Sequence, residues 1–261
     1  MTGKNNSPLV ITMGEPAGIS WEITAKVWEN HLTKIPGFYL LDDFERLQSL
    51  NNTIPIKRID HPSQAKIIFP DALPILHSPL SVPATFGQPS KKNAKDVIAS
   101  IKLAVDHVTS GLARGMITNP IQKNTLYSVG FNHPGHTEYL GELNHSVTEP
   151  LMMLTSQELR VVPVSTHINL SDAIKLLNEE QIIRKAVKTA EALCQDFNIK
   201  NPHIAVAGLN PHAGEGGALG SEEIEIISPA IQKLKNKGLR ISGPYPPDVM
   251  FSGIIRQTYD A

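Results

Sequence analysis

Imidazoles at the ends of apolar segments, a carboxylate in a proline-rich turn and one glycine-rich loop are the features of this chain equipped for chemistry. The loop reads Gly208-Leu209-Asn210-Pro211-His212-Ala213-Gly214-Glu215-Gly216-Gly217-Ala218-Leu219-Gly220-Ser221-Glu222-Glu223. Five glycines and a proline let a backbone turn tightly and approach a ligand closely. His212 stands inside it, just after a strand-like segment at 203–207. Loops leaving the carboxyl ends of strands are where α/β sheets bind small molecules. His167 likewise follows an apolar segment, 159–164. Neutral imidazoles are good ligands for zinc and similar ions, so His167 and His212 could converge on one divalent cation. Two histidines far apart in sequence are equally compatible with unrelated polar positions.

The stretch His133-Pro134-Gly135-His136-Thr137-Glu138-Tyr139 places two imidazoles three apart at an expected helix start, with Thr137 able to cap it. Such a terminus welcomes an anion, although a histidine there also serves as an ordinary surface or cap residue. Gly243-Pro244-Tyr245-Pro246-Pro247-Asp248 reads as a rigid turn whose carboxylate, Asp248, is available for acid/base work. Thr12-Met13-Gly14-Glu15-Pro16-Ala17-Gly18 joins the first strand to its helix and reads as either structural or functional. It is not the Gly-x-Gly-x-x-Gly dinucleotide fingerprint, and the later loop fails that test because position 219 is Leu. His31, His61, His77, His107, His145 and His203 read as structural, and Cys194 as a packed core thiol within the apolar periodicity Ile182, Ile183, Ala186, Val187, Ala190, Leu193.

Elements that alternate between strand and helix must position these groups. Strands are expected at 8–13, 38–41, 55–59, 116–118, 151–154, 159–164, 203–207 and 239–242. Helices are expected at 19–31, 44–50, 95–109, from Pro120, from His136, at 179–197 and after Gly220. Residues 72–89 carry four prolines and read as a connector. The alternation implies an α/β protein with a largely parallel sheet. Gly130, Pro134 and Gly135 interrupt the pattern, so two α/β domains are expected, 1–133 and 134–261.

Composition narrows the function. A net charge of −1 and 5% aromatics argue against a nucleic-acid surface. The first seven residues lack an apolar leader, no apolar run is long enough to span a bilayer, and a single cysteine fits a reducing cytoplasm.

Taken in order and spacing, the segments 12–18, 133–139, 164–167, 208–223 and 243–248 resemble the 4-hydroxythreonine-4-phosphate dehydrogenase family of vitamin B6 biosynthesis. The resemblance implies a two-domain, three-layer α/β/α architecture similar to isocitrate and isopropylmalate dehydrogenases. It implies a homodimer with a shared active site in the cleft between domains, using NAD or NADP and a divalent metal (zinc, magnesium or cobalt). It makes His167 and His212 metal ligands, gives His136 and Thr137 to the substrate, and puts Asp248, with His136, among the catalytic groups. The implied reaction oxidises 4-phosphohydroxy-L-threonine to a β-keto acid that decarboxylates to 3-amino-2-oxopropyl phosphate. Threonate or erythronate 4-phosphate is the alternative substrate. Metal-dependent hydrolysis or aldol chemistry also uses histidines with a carboxylate. Members of that family continue past the equivalent of Tyr259-Asp260-Ala261 with a third metal-binding histidine and phosphate-holding residues. From that comparison the chain is expected to be truncated and to show little dehydrogenase activity. Ser20-Trp21 and Val249 replace the family's Gly-Pro and Thr.

Overall fold

A computed structural model describes residues 7–31, 33–50, 54–144 and 150–261. His145, the side chain of His31 and residues 1–6, on which the leader reading rests, lie outside the described residues. The chain forms two compact units, Met1–Glu149 and Pro150–Ala261.

In the first unit the elements run β1 (Leu9–Ile11), α1 (Ser20–His31), β2 (Phe38–Asp42), α2 (Phe44–Ser49), β3 (Ile56–Ile59), α3 (Ala65–Ile68) and β4 (Leu73–His77). They continue with α4 (Ala94–Thr109), β5 (Gly115–Ile117), α5 (Lys123–Tyr127) and α6 (His136–Leu143). All five strands pair in parallel, in the order β3-β4-β2-β1-β5. Successive residues of a strand face opposite sides. Ile11, Phe38 and Leu40 therefore pack with Trp21 and Trp28 of α1 and Leu47 of α2, while Val10, Tyr39 and Leu41 pack with Ala65 of α3 and Ala104 of α4. Both faces are covered, which is why Phe38 to Leu41 of β2 are apolar without alternation and the strand is buried throughout. The indole of Trp28 donates to the carbonyl of Phe69 at 3.1 Å, so its burial leaves no polar atom unpaired.

The segment 72–89 is not simply a connector, because β4 lies within it and inside the sheet. Pro74 disguises it, since proline lacks the ladder N–H. The pairing with β2 begins only at Ile75, so that loss falls at the strand's start. Pro120 does not open a helix either. α5 begins at Lys123, capped by Gln122. The expected domain boundary at 133/134 falls inside the first unit, where Phe131 and Tyr139 share a cluster with Met13, Ile101 and Leu126.

The second unit contains β6 (Leu154–Thr155), β7 (Arg160–Val161), α7 (Leu170–Leu176), α8 (Glu179–Gln195), β8 (Ile204–Ala207), α9 (Ser228–Asn236), β9 (Ile241–Tyr245) and α10 (Pro247–Met250). β8 and β9 pair in parallel, β6 and β7 in antiparallel. Ile182, Ala186 and Leu193 of α8 meet Ala230, Ile231 and Leu234 of α9 beside Ile204 and Ile241. Cys194 is exposed, contrary to its core reading. The buried stripe of α8 runs Ile182, Ala186, Thr189, Leu193, and the next residue points about 100° away.

Candidate functional site

The glycine-rich loop departs from the carboxyl end of β8 and is fixed at both ends. The Gly208 amide donates to the carbonyl of Tyr245 at 2.8 Å, and the Leu209 amide donates to Oε1 of Glu223 at 2.8 Å. Asn210 staples the middle: its Oδ1 accepts from the amides of His212 (3.0 Å) and Gly214 (3.2 Å), and its Nδ2 donates to the carbonyl of Leu219 (3.2 Å). Residues Ala213, Gly214, Glu215, Gly216 and Gly217 all have positive φ, from 43° to 105°. Three of these five are glycine, the residue that adopts this backbone without strain.

His212 stands at the entrance to that left-handed run, and its Nδ1 lies 3.2 Å from Oδ2 of Asp248. A carboxylate beside Nδ1 favours the tautomer that carries its proton there and keeps the lone pair on Nε2. Both side chains are about half exposed, at 54% and 44%. An imidazole nitrogen oriented by a carboxylate and open to solvent suits a divalent cation, so the donor chemistry fits the metal the resemblance implies. Asp248 does not sit in a rigid turn. β9 runs through Gly243 and Pro244, and Asp248 belongs to the first turn of α10.

His167 is exposed with φ of 58°, three residues before α7. Among the described residues, one His/Cys/Asp/Glu triplet has all its ligand atoms within 4.8 Å of one another, Asp43, Glu45 and His77. His167, His212 and Asp248 do not form such a triplet. The Asp43 group is accounted for by local structure. Asp43 caps α2 by accepting from the Arg46 amide and also accepts from the Leu80 amide. Nδ1 of His77 accepts from the Phe44 amide, and Glu45 pairs with Arg58.

His136 opens α6 in the first unit, half-buried, with its pKa lowered by burial and then by the charge of Lys123. Both favour the neutral ring, whose Nε2 is buried with no hydrogen-bond partner. Thr137 does not cap the helix. The N-cap is Gly135, with no side-chain bond, which leaves Thr137 in the first turn. His133 packs edge-on to Phe131, with ring centroids 5.1 Å apart, and lies 3.4 Å from Glu142.

The carboxyl edge of the five-stranded sheet holds a buried polar network that the sequence reading left open. Asn119 donates to the carbonyl of Thr12 and to Thr24 Oγ1. Arg46 pairs with Asp42 at 3.2 Å and donates to the carbonyl of Pro16. Glu15 accepts from the Ala17 amide, and burial raises its pKa. Burial also pushes Asp42 up to about 6, against the opposing pull of Arg46. The 12–18 segment is thereby held as structure.

The remaining described histidines are bound into the frame. His61 accepts from the Ser63 amide, His107 meets the Tyr39 hydroxyl at 2.8 Å, and His203 meets Ser242 at 2.6 Å. A cavity of about 360 Å³ in the second unit is lined by apolar side chains such as Val161, Val164, Ile182 and Val206. Leu209 reaches it, but His212 and Asp248 do not line it. No helix among the described residues is long and apolar enough to cross a membrane.

Comparison with known proteins agrees with this α/β arrangement. The family model for pyridoxal phosphate biosynthetic protein PdxA matches residues 37–261. A 4-hydroxythreonine-4-phosphate dehydrogenase of Caulobacter vibrioides is 42% identical over 258 residues, covering 97% of this chain and 78% of that protein. One from Bradyrhizobium diazoefficiens is 43% identical over 268 residues, with the same coverage. A crystal structure of the enzyme so named from Klebsiella pneumoniae superposes with a TM-score of 0.86 at 32% identity, covering 97% of this chain and 79% of that one. The chain belongs to the pyridoxal phosphate biosynthetic protein PdxA family.

Proposed function

We propose that this protein is an oxidoreductase of vitamin B6 biosynthesis that oxidises 4-phosphohydroxy-L-threonine with NAD or NADP and a divalent cation. The observation that carries the reading is the His212–Asp248 pair, a half-exposed imidazole beside a carboxylate on a stapled loop in a chain of this family. A bound zinc, magnesium or cobalt ion supplies Lewis acidity toward the substrate hydroxyl, and the nicotinamide supplies the hydride acceptor. His212 would hold the ion through Nε2, with Asp248 favouring that tautomer and His167 as the second histidine ligand. Asp248, or a water it holds, takes the alcohol proton as the C–H electron pair leaves as hydride. The ketone lies β to the carboxylate, so loss of carbon dioxide gives 3-amino-2-oxopropyl phosphate. His136 and Thr137 contact the substrate, the unpartnered Nε2 of His136 accepting a hydrogen bond from it.

A homodimer with a shared active site is part of the proposal. α7 begins three residues after His167 and buries none of its residues, leaving Leu170 (78%), Ile174 (42%) and Leu176 (55%) exposed. Leu170 and Ile174, one turn apart on the same face, are exposed apolar surface of the kind that subunit interfaces cover. A cytoplasmic location is part of the same proposal.

The test is NADH or NADPH formation by the purified protein from 4-phosphohydroxy-L-threonine, with added cobalt, zinc or magnesium. Threonate and erythronate 4-phosphate run beside it. Faster turnover of either of those would replace the substrate assignment, and failure to bind NAD(H), NADP(H) and all three phosphorylated acids would reject the dehydrogenase reading.

A further inference from the structure

We infer that Glu223 is a positioning residue for His212: its buried carboxylate closes the two ends of the glycine-rich loop and so sets where the imidazole stands. The inference rests on the assignment of His212 as a metal ligand.

Glu223 is 4% exposed and begins a single π-helical turn, Glu223–Ile227, that runs into α9. Turns of this kind are uncommon and recur at functional sites. Its two oxygens face different parts of one loop. Oε1 accepts the amide of Leu209, three residues before His212. Oε2 faces Gly214, two residues after it, where a Cβ would come within 2.6 Å of that oxygen. A Cβ on Gly208 would lie 3.0 Å from Oε1 and 2.7 Å from the Cα of Ala213. The backbone on both sides of His212 thus closes around one carboxylate at distances that only glycine allows. Oε2 itself has no hydrogen-bond partner. A buried carboxylate oxygen without a donor disfavours the fold, so packing alone does not account for an acid at this position. A glutamate here makes the Leu209 bond and still fills the space against Gly214, which an apolar side chain could not do.

The experiment titrates cobalt(II) into the purified protein and into Glu223→Ala, Glu223→Gln, His212→Ala and Leu234→Ala, with amide exchange at Leu209 measured in each. Leu234 is fully buried between α8 and α9 and serves as a variant that weakens the fold away from the loop. The expected result is a roughly tenfold loss of cobalt affinity in Glu223→Ala, the scale of loss seen when partners of metal ligands are removed. Protection of the Leu209 amide should be lost with it. Glu223→Gln, which keeps an acceptor for that amide, should restore both. Leu234→Ala should keep its affinity. Wild-type affinity in Glu223→Ala, failure of Glu223→Gln to restore it, or an equal loss in Leu234→Ala would each overturn the inference. Wild-type affinity in His212→Ala would instead bring down the ligand assignment on which it stands.

Discussion

Nδ1 of His212 and Oδ2 of Asp248 lie 3.2 Å apart although 36 residues separate them in the chain. The contact exists because β8 and β9 are parallel neighbours, so the loop after one and the short helix after the other leave the same end of the pair. A bond from the Asp248 amide to the carbonyl of Pro211 accompanies it.

Asp248→Asn should therefore remove both the charge beside the ring and the proposed proton acceptor. Cobalt affinity is expected to fall by about 10- to 100-fold, and kcat/KM with it. His212→Ala should abolish specific uptake while far-ultraviolet circular dichroism stays unchanged. Unaltered affinity in Asp248→Asn would show that the carboxylate does not orient the ligand.

His136→Ala should raise KM for the phosphorylated substrate by about tenfold, the value of one to two lost hydrogen bonds, and leave cobalt affinity unchanged. Steady-state kinetics and metal titration together separate the two effects. A fall in cobalt affinity equal to that of His212→Ala would place His136 with the metal and away from the substrate.

Asp42 gives a pH signature in stability. Its folded pKa is raised by burial from 3.8 to about 6. Its contribution is thus fully present below about pH 4 and is lost as pH rises through 6, a change of about 3 kcal/mol. Urea denaturation at pH 4 and pH 7 should show wild type losing stability relative to Asp42→Asn across that interval. A constant difference between the two proteins would contradict the shift.

Leu193 and Cys194 are adjacent in α8 but face different surroundings. Leu193→Ala should cost about 2–5 kcal/mol through the cavity it opens, whereas Cys194→Ser should stay within about 0.5 kcal/mol. Denaturation midpoints would check both, and a large loss in Cys194→Ser would restore the thiol to the core.

The α/β class, the helices α1, α4 and α8, and the identity of the chemical groups are legible along the chain, because apolar periodicity and glycine-rich loops are local signals. Ile182, Ala186 and Leu193 state their stripe in their spacing, and the loop around His212 states its tight turns in its glycines. That Leu73–His77 lies inside the sheet emerges on folding, since its burial comes from neighbours distant in sequence and Pro74 hides the strand. The same holds for Asp248, whose apparent turn is the end of one strand and the start of a helix. Glu223 was invisible for a related reason: an acid in a polar loop reads as solvated until the folded backbone encloses it. Ligand types are written along the chain, but which of them meet depends on strand pairing and burial, and those are set by contacts between segments far apart in sequence.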